Sequence, residues 1–191
     1  IASIASERNF YEKIILGDID EVRAAKSIEG LDAKRFSSMK VDASSQSDIV
    51  RAINETGATI VMNACDPRFN PQIFDAAFES KINYMDMAMH LSEPHPTNPY
   101  EEVGVKLGDA QFAVSDDWEK AGILGLVGMG VEPGMSDVFA RYGADKYFSS
   151  IEEIGIRDGA NLVIDGYDFA PTFSIWTTIE ECLNPPVNKK K

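Results

Sequence analysis

The chain has 191 residues, 44% of them hydrophobic, enough to bury a sizeable core in one domain or in parts of two. Its 18 basic residues face 31 acidic ones, a formal charge of -13, and only Lys189 to Lys191 cluster positive charge, which argues against nucleic acid or an anionic membrane as partner. Two cysteines, Cys65 and Cys182, and two histidines, His90 and His95, with no CxxC, leave neither a disulfide framework nor a Cys/His metal site to expect.

In chain order, Ile1, Ile4 and Ala5 stand at helical spacing, as though the chain opens inside a helix. "KIILGDID" (13–20) reads as a strand ending in acids, followed by a helix near 20–29. "FSSMKVDAS" (36–44) is a second strand, with a helix near 46–56. "ATIVMNACD" (58–66) is a third, and "NPQIFDAAFES" (70–80) a helix started by proline. "INYMDMAM" (82–89) is a fourth strand, after which "HLSEPHPTNPY" carries three of the nine prolines and reads as an irregular loop. A long polar helix is expected over 101–121, a fifth strand over 123–130, a helix over 135–147 and a further strand in "SIEEIGIRDG". No apolar run approaches the ~18 residues of a membrane span and no signal-peptide pattern opens the chain, so a cytoplasmic location is expected. Strands that are continuously apolar and alternate with helices predict a doubly wound α/β domain with a parallel sheet covered on both faces.

"GMGVEPGMSD" poses the question of the cofactor loop. Gly128, Gly130 and Gly134 follow a strand and precede a helix, and Asp158 lies downstream at about the distance of a ribose contact. Against a phosphate cradle stand Pro133, which has no N–H to offer, and Glu132, which sets a carboxylate where pyrophosphate charge would lie. Asp18, at the tip of "IILGD", is the better ribose candidate. There it accepts from the hydroxyls and repels a 2′-phosphate, which favours NAD over NADP, while Asp20 suits the N-cap of the next helix.

Taken together, "GDID", "VDASS", "VMNACDP", "INYMD", "VGMGVEPGMSDVFARYGAD" and "FSIWTTIEECLNPP" resemble the saccharopine dehydrogenase family, with its saccharopine reductases, lysine 6-dehydrogenases and carboxynorspermidine dehydrogenases. The likeness runs along essentially the whole chain, and its most specific part is the PG-x-S-D-V-F-A-R-Y-x-A-D run. It implies a Rossmann domain over residues 1–131, whose first strand and glycine-rich loop would lie upstream of Ile1, and the beginning of a second α/β substrate and dimerisation domain over 132–191.

The resemblance also implies roles. Glu132 stands in an "xPG" turn where the saccharopine reductases carry Asp, and would face the nicotinamide as a general acid/base; the alternative is a helix-start acid favoured by the macrodipole. Asp86 and His90 form the next layer of catalytic candidates, His90 also being readable as a surface-loop histidine. Asp18 and Ile19, then Asp42 and Ala43, would follow the adenosine end, with a capping turn as the alternative for Asp42. Asn63, Ala64 and Cys65 would pass the phosphates or the second ribose, Cys65 as a buried small residue rather than a nucleophile. Ser174, Trp176 and Thr177 would line the substrate pocket. The function expected is oxidoreduction at the C–N bond of a lysine-, saccharopine- or carboxynorspermidine-type substrate, with NAD, or else NADP, as cofactor, by a homodimer. A nucleotide-binding Rossmann protein without catalysis is the other reading.

Overall fold

The computed structural model describes residues 1–157 apart from Tyr100 and Val103, together with 163–167, Ile175 and Ile179. Ser174, Trp176, Thr177, Asp158 and Cys182 lie outside the described residues.

Strands and helices alternate as expected for an α/β fold. A short helix α1 (Ala2–Ser6) leads to β1 (Ile14–Asp18), α2 (Glu21–Lys26), β2 (Phe36–Lys40), α3 (Gln46–Thr56), β3 (Ile60–Asn63), a 3-10 turn (Pro67–Phe69), α4 (Asn70–Glu79) and β4 (Asn83–Asp86). Then come α5 (Asp109–Ala113), α6 (Ser115–Ala121), β5 (Gly125–Leu126) and α7 (Met135–Lys146). The helices start where local chemistry satisfies their free N–H groups. The Asp20 carboxylate accepts from the amides of Val22 and Arg23, Ser45 Oγ from that of Asp48, and Pro71 occupies the first turn of α4. Gly57 ends α3 in the left-handed region at φ 64°.

All strand pairs are parallel, but the strands form two sheets rather than the single one expected: β1 with β2, and β3-β4-β5. Among the described residues no ladder joins β1 to β3. The carboxyl ends of these two strands nevertheless lie within electrostatic reach, since the Asp18 charge acts on the Cys65 thiol.

The core lies on one face of the three-stranded sheet. Ile49 and Ile53 of α3 and Ile73, Phe74, Ala76 and Ala77 of α4 pack with Tyr84 and Trp118. Phe74 stacks on Trp118 at 4.5 Å between centroids and meets Tyr84 edge-on at 5.1 Å. Gly125 packs directly against this stack, a Cβ there lying 3.4 and 3.6 Å from the Trp118 and Phe74 rings, at ordinary contact distance. On the opposite face Ile60, Met62, Leu124 and Leu126 are exposed.

Three expectations are corrected. The long helix over 101–121 is only its last part, α5 and α6, because Glu93 and Val105 exchange both main-chain hydrogen bonds at 2.9 Å and Gly108 then turns at φ 77°. The fifth strand pairs over two residues rather than eight, the chain after Val127 being drawn into a tight turn. No strand is formed by 151–157.

Candidate functional site

Most of the candidate residues lie at the carboxyl ends of parallel strands, divided between the two sheets. Asp18, at the tip of β1, has its side chain 28% exposed and accepts from Arg23 Nη2 at 2.6 Å, Arg23 Nε at 3.0 Å and the Asp20 amide at 2.9 Å. Arg23 first, then the Asp20 N–H, hold its carboxyl below the usual carboxylate range, so it is a charged acceptor at neutral pH. Ile19 beside it is exposed. Behind β1, Gly17 lies so close to β2 that a Cβ would meet Val41 Cγ2 at 3.0 Å.

Asp42 closes a local turn: its carboxylate accepts from Ser44 Oγ at 2.6 Å and the Ser44 amide at 2.9 Å, which lowers its pKa. Its own amide donates to Asp48 at 2.8 Å. Ala43 packs partly against the core.

After β3, the Asn63 side chain turns inward while Ala64 and Cys65 are exposed. The exposure of Cys65 differs from the expected burial. Residues 64 and 65 stay at the surface because Asn63 Oδ1 accepts from the Cys65 amide at 2.9 Å and turns the chain outward. Enough protein surrounds the thiol that desolvation, followed by the Asp18 and Asp66 charges, raises its pKa, which keeps it a thiol and not a nucleophilic thiolate.

Asp86, at the tip of β4, is 1% exposed. One carboxylate oxygen accepts from the Gly128 amide at 2.6 Å, and the other from Gln111 Nε2 at 2.7 Å and Tyr84 Oη at 3.0 Å. Tyr84 Oη accepts from Asn63 Nδ2 at 3.1 Å, and Asn63 Nδ2 also donates to Asn70 Oδ1 at 2.7 Å. Asn70 donates onward to the Ala88 carbonyl, and Gln111 Oε1 accepts from the His90 amide at 2.9 Å. Burial raises the Tyr84 phenol far above its ordinary value, so it stays protonated and can donate to Asp86. The sequence reading missed Tyr84, Asn70 and Gln111. Tyr84 and Asp86, two apart on one strand, necessarily share a face, a signal that was available; Gln111 gives none.

His90 is not a surface-loop residue. Its ring meets Phe74 edge-on at 5.6 Å, its Nε2 is buried without a hydrogen-bond partner, and desolvation lowers its pKa, so the ring is neutral at pH 7.

The 128–134 turn answers the question of the cofactor loop. A Cβ at Gly134 (φ 132°) would strike the Gly130 and Gly128 carbonyl oxygens, and one at Gly130 the Met87 carbonyl. The glycines therefore allow the turn to close on itself and on β4. The Asp137 carboxylate accepts from the Gly134 amide at 3.0 Å, so the N-terminus of α7 already holds a negative group from its own chain. Glu132 is exposed on this turn.

The described residues therefore fit part of a dinucleotide: a charged acceptor for ribose hydroxyls at Asp18 and exposed small residues at 64 and 65, but no phosphate cradle at 128–134. Among them no group of three His, Cys, Asp or Glu could hold a metal ion, and no helix is long and apolar enough to cross a membrane.

Comparison with known proteins gives the family and the fold of the chain. A family model, the saccharopine dehydrogenase NADP binding domain, matches residues 1–126. The chain is 30% identical over 149 residues to a carboxynorspermidine synthase of Vibrio cholerae, covering 78% of this chain and 35% of that protein. It is also 30% identical over 141 residues to a carboxyaminopropylagmatine dehydrogenase of Synechocystis, covering 74% and 33%. The fold is similar to that of an apo saccharopine dehydrogenase (L-Glu forming) from Saccharomyces cerevisiae, with a TM-score of 0.55 at 14% identity over 76% of this chain and 27% of that one. The chain spans about a third of the length of these curated relatives.

Proposed function

The chain belongs to the saccharopine dehydrogenase family, and on that premise we propose that it is the nicotinamide-nucleotide-binding part of an oxidoreductase acting on the C–N bond of an amino acid or amine. The observation that carries this reading is the placement of an exposed carboxylate, Glu132, on a turn anchored to β4, beside β3, which runs into the exposed residues 64 and 65, the latter within electrostatic reach of Asp18.

Residues 1–131 would hold the dinucleotide, and residues 132–191 would begin the substrate domain; α7 buries none of its residues among the described ones, in keeping with a helix that leaves the first domain. Asp18 would accept from the ribose hydroxyls, already charged and oriented by Arg23. A 2′-phosphate would meet the Asp18 carboxylate at short range, with the Arg23 guanidinium paired to it, and the preference proposed for NAD over NADP rests on the Asp18 charge prevailing. Ile19, Asp42, Ala43, Ala64 and Cys65 would border the dinucleotide, with Asn63 acting through its neighbours.

The bound nicotinamide supplies a two-electron hydride acceptor. Oxidation at a C–N bond also requires the nitrogen to lose a proton, and hydrolysis of the resulting imine moves protons to and from water. Glu132 would take and return these protons at its exposed carboxylate. His90, half-buried with its Nε2 enclosed, is suited to holding the 88–90 segment rather than to exchanging protons with solvent. A small amine substrate, a homodimer and a cytoplasmic location complete the reading.

The test follows reduced-nicotinamide absorbance with the full-length protein against lysine, saccharopine and carboxyspermidines. Glu132→Gln should lower turnover about 10²–10⁴-fold with nearly unchanged NAD affinity. Turnover within a few-fold of the parent would leave Glu132 as a helix-start acid. Nucleotide binding without turnover of any amine would favour the non-catalytic reading.

A further inference from the structure

Every polar group around Asp86 points away from solvent and toward the chain. Its carboxylate, buried at the end of β4, holds the Gly128 amide from 42 residues downstream at 2.6 Å, while its main-chain carbonyl holds the next amide, Met129, at 2.9 Å. Two consecutive amides are thus fixed by one residue through two different groups. The same carboxylate is braced by Tyr84 and Gln111, and these reach Asn63, Asn70 and the main chain of residues 65, 88 and 90. One hydrogen-bonded network therefore touches the segments that leave β3, β4 and β5.

We propose that Asp86 is a positioning residue that sets the 128–134 turn, and with it the Glu132 carboxylate, through the Gly128 N–H, and that Tyr84 and Gln111 hold it in the required rotamer. This rests on the proposed role of Glu132. Asp86 itself makes no contact with substrate: all three of its donors are protein groups and it is closed off from solvent. The geometry suits a fixed strut, because a carboxylate that receives three donors from three segments, one of them a main-chain amide at 2.6 Å, cannot rotate without breaking at least one of these bonds.

Asp86→Asn places an NH2 among three donors, so at least one of them must lose its acceptor. In amide hydrogen exchange on the full-length protein without substrate, Gly128 should exchange about tenfold faster or more, as expected for losing a bond to a charged acceptor. The Met129 amide, held by the main-chain carbonyl, should stay within about twofold of the parent if the loosening is local. Turnover should fall while the dissociation constant for NAD stays close to the parent value. Tyr84→Phe keeps the ring packing and removes one brace, and should raise Gly128 exchange more than Met129 exchange even if the Asn variant does not fold.

Equal acceleration of both amides would mean general loosening and would overturn the proposal. So would an unchanged Gly128 rate in either variant, or faster Gly128 exchange with turnover intact. Failure of the parent protein to turn over any amine would instead count against the functional reading, since the exchange rates do not depend on catalysis.

Discussion

Two aspartates end two parallel strands of this chain, and they live in opposite surroundings. Asp18 leaves β1 into a short turn, where among the described residues its hydrogen-bond partners are local, Arg23 and Asp20, and its carboxylate stays partly exposed. Asp86 leaves β4 beneath α5 and the 128–134 turn, and its carboxylate is used up by Tyr84, Gln111 and Gly128. The local sequences, "LGD" and "YMD", are equally suggestive of a site. What separates them is whether later segments of chain fold back over the strand tip, so a strand-ending acid is a ligand-facing group only where nothing covers it.

The comparison breaks most visibly in stability. Asp86→Ala should destabilise the fold by about 3 kcal/mol or more in urea unfolding, because dry donors left without an acceptor cost about 1–3 kcal/mol each. Asp18→Ala should change stability by no more than about 1 kcal/mol, since its partner Arg23 is largely in solvent. A similar loss for both variants would erase the distinction between a sealed and an open aspartate.

The open aspartate should instead show itself in cofactor choice. Removing its carboxylate should narrow the preference for NAD over NADP by about tenfold, the scale of one hydrogen bond to a charged group, measured as the ratio of dissociation constants. Equal binding of both nucleotides by the parent would remove Asp18 from the ribose site.

A smaller effect should come from His90, which borders the sealed network and faces Asp86 and Asp75 as its charged neighbours. Burial lowers its pKa in the folded state below the ordinary 6.5, so between the two values the unfolded chain binds more protons. Its contribution is therefore complete above pH 6.5 and is lost as pH falls through the lower folded value. His90→Gln should flatten the dependence of stability on pH in that window; an unchanged slope would place the ring in a more open setting.

Much of this architecture was legible beforehand. β1 to β4 all fall inside the stretches read as strands, each of which carries apolar residues and runs into polar turn residues. Helix α4 was marked by Pro71. What the chain did not announce depends on distant partners. The Glu93–Val105 bridge removes the first half of a helix that its composition favours. Gln111 looks like any polar helix residue until the fold brings it 2.7 Å from an aspartate 25 positions away. Among the candidate residues, the placement of Asp18 and Glu132 on surface turns could be read from the chain; the inward rotation of Asn63 could not.

The division of the strands into two sheets has a practical side. β1 is bonded on one side by β2 and β3 on one side by β4, so among the described residues each offers a bare row of amides and carbonyls on its other side. Such margins are adhesive toward any extended peptide that presents the matching spacing. When the 191-residue chain is handled by itself, light scattering should rise with concentration. A short, parallel-pairing peptide that covers the open side of β1 or of β3 should suppress that rise, because it would occupy the groups through which two chains would otherwise pair.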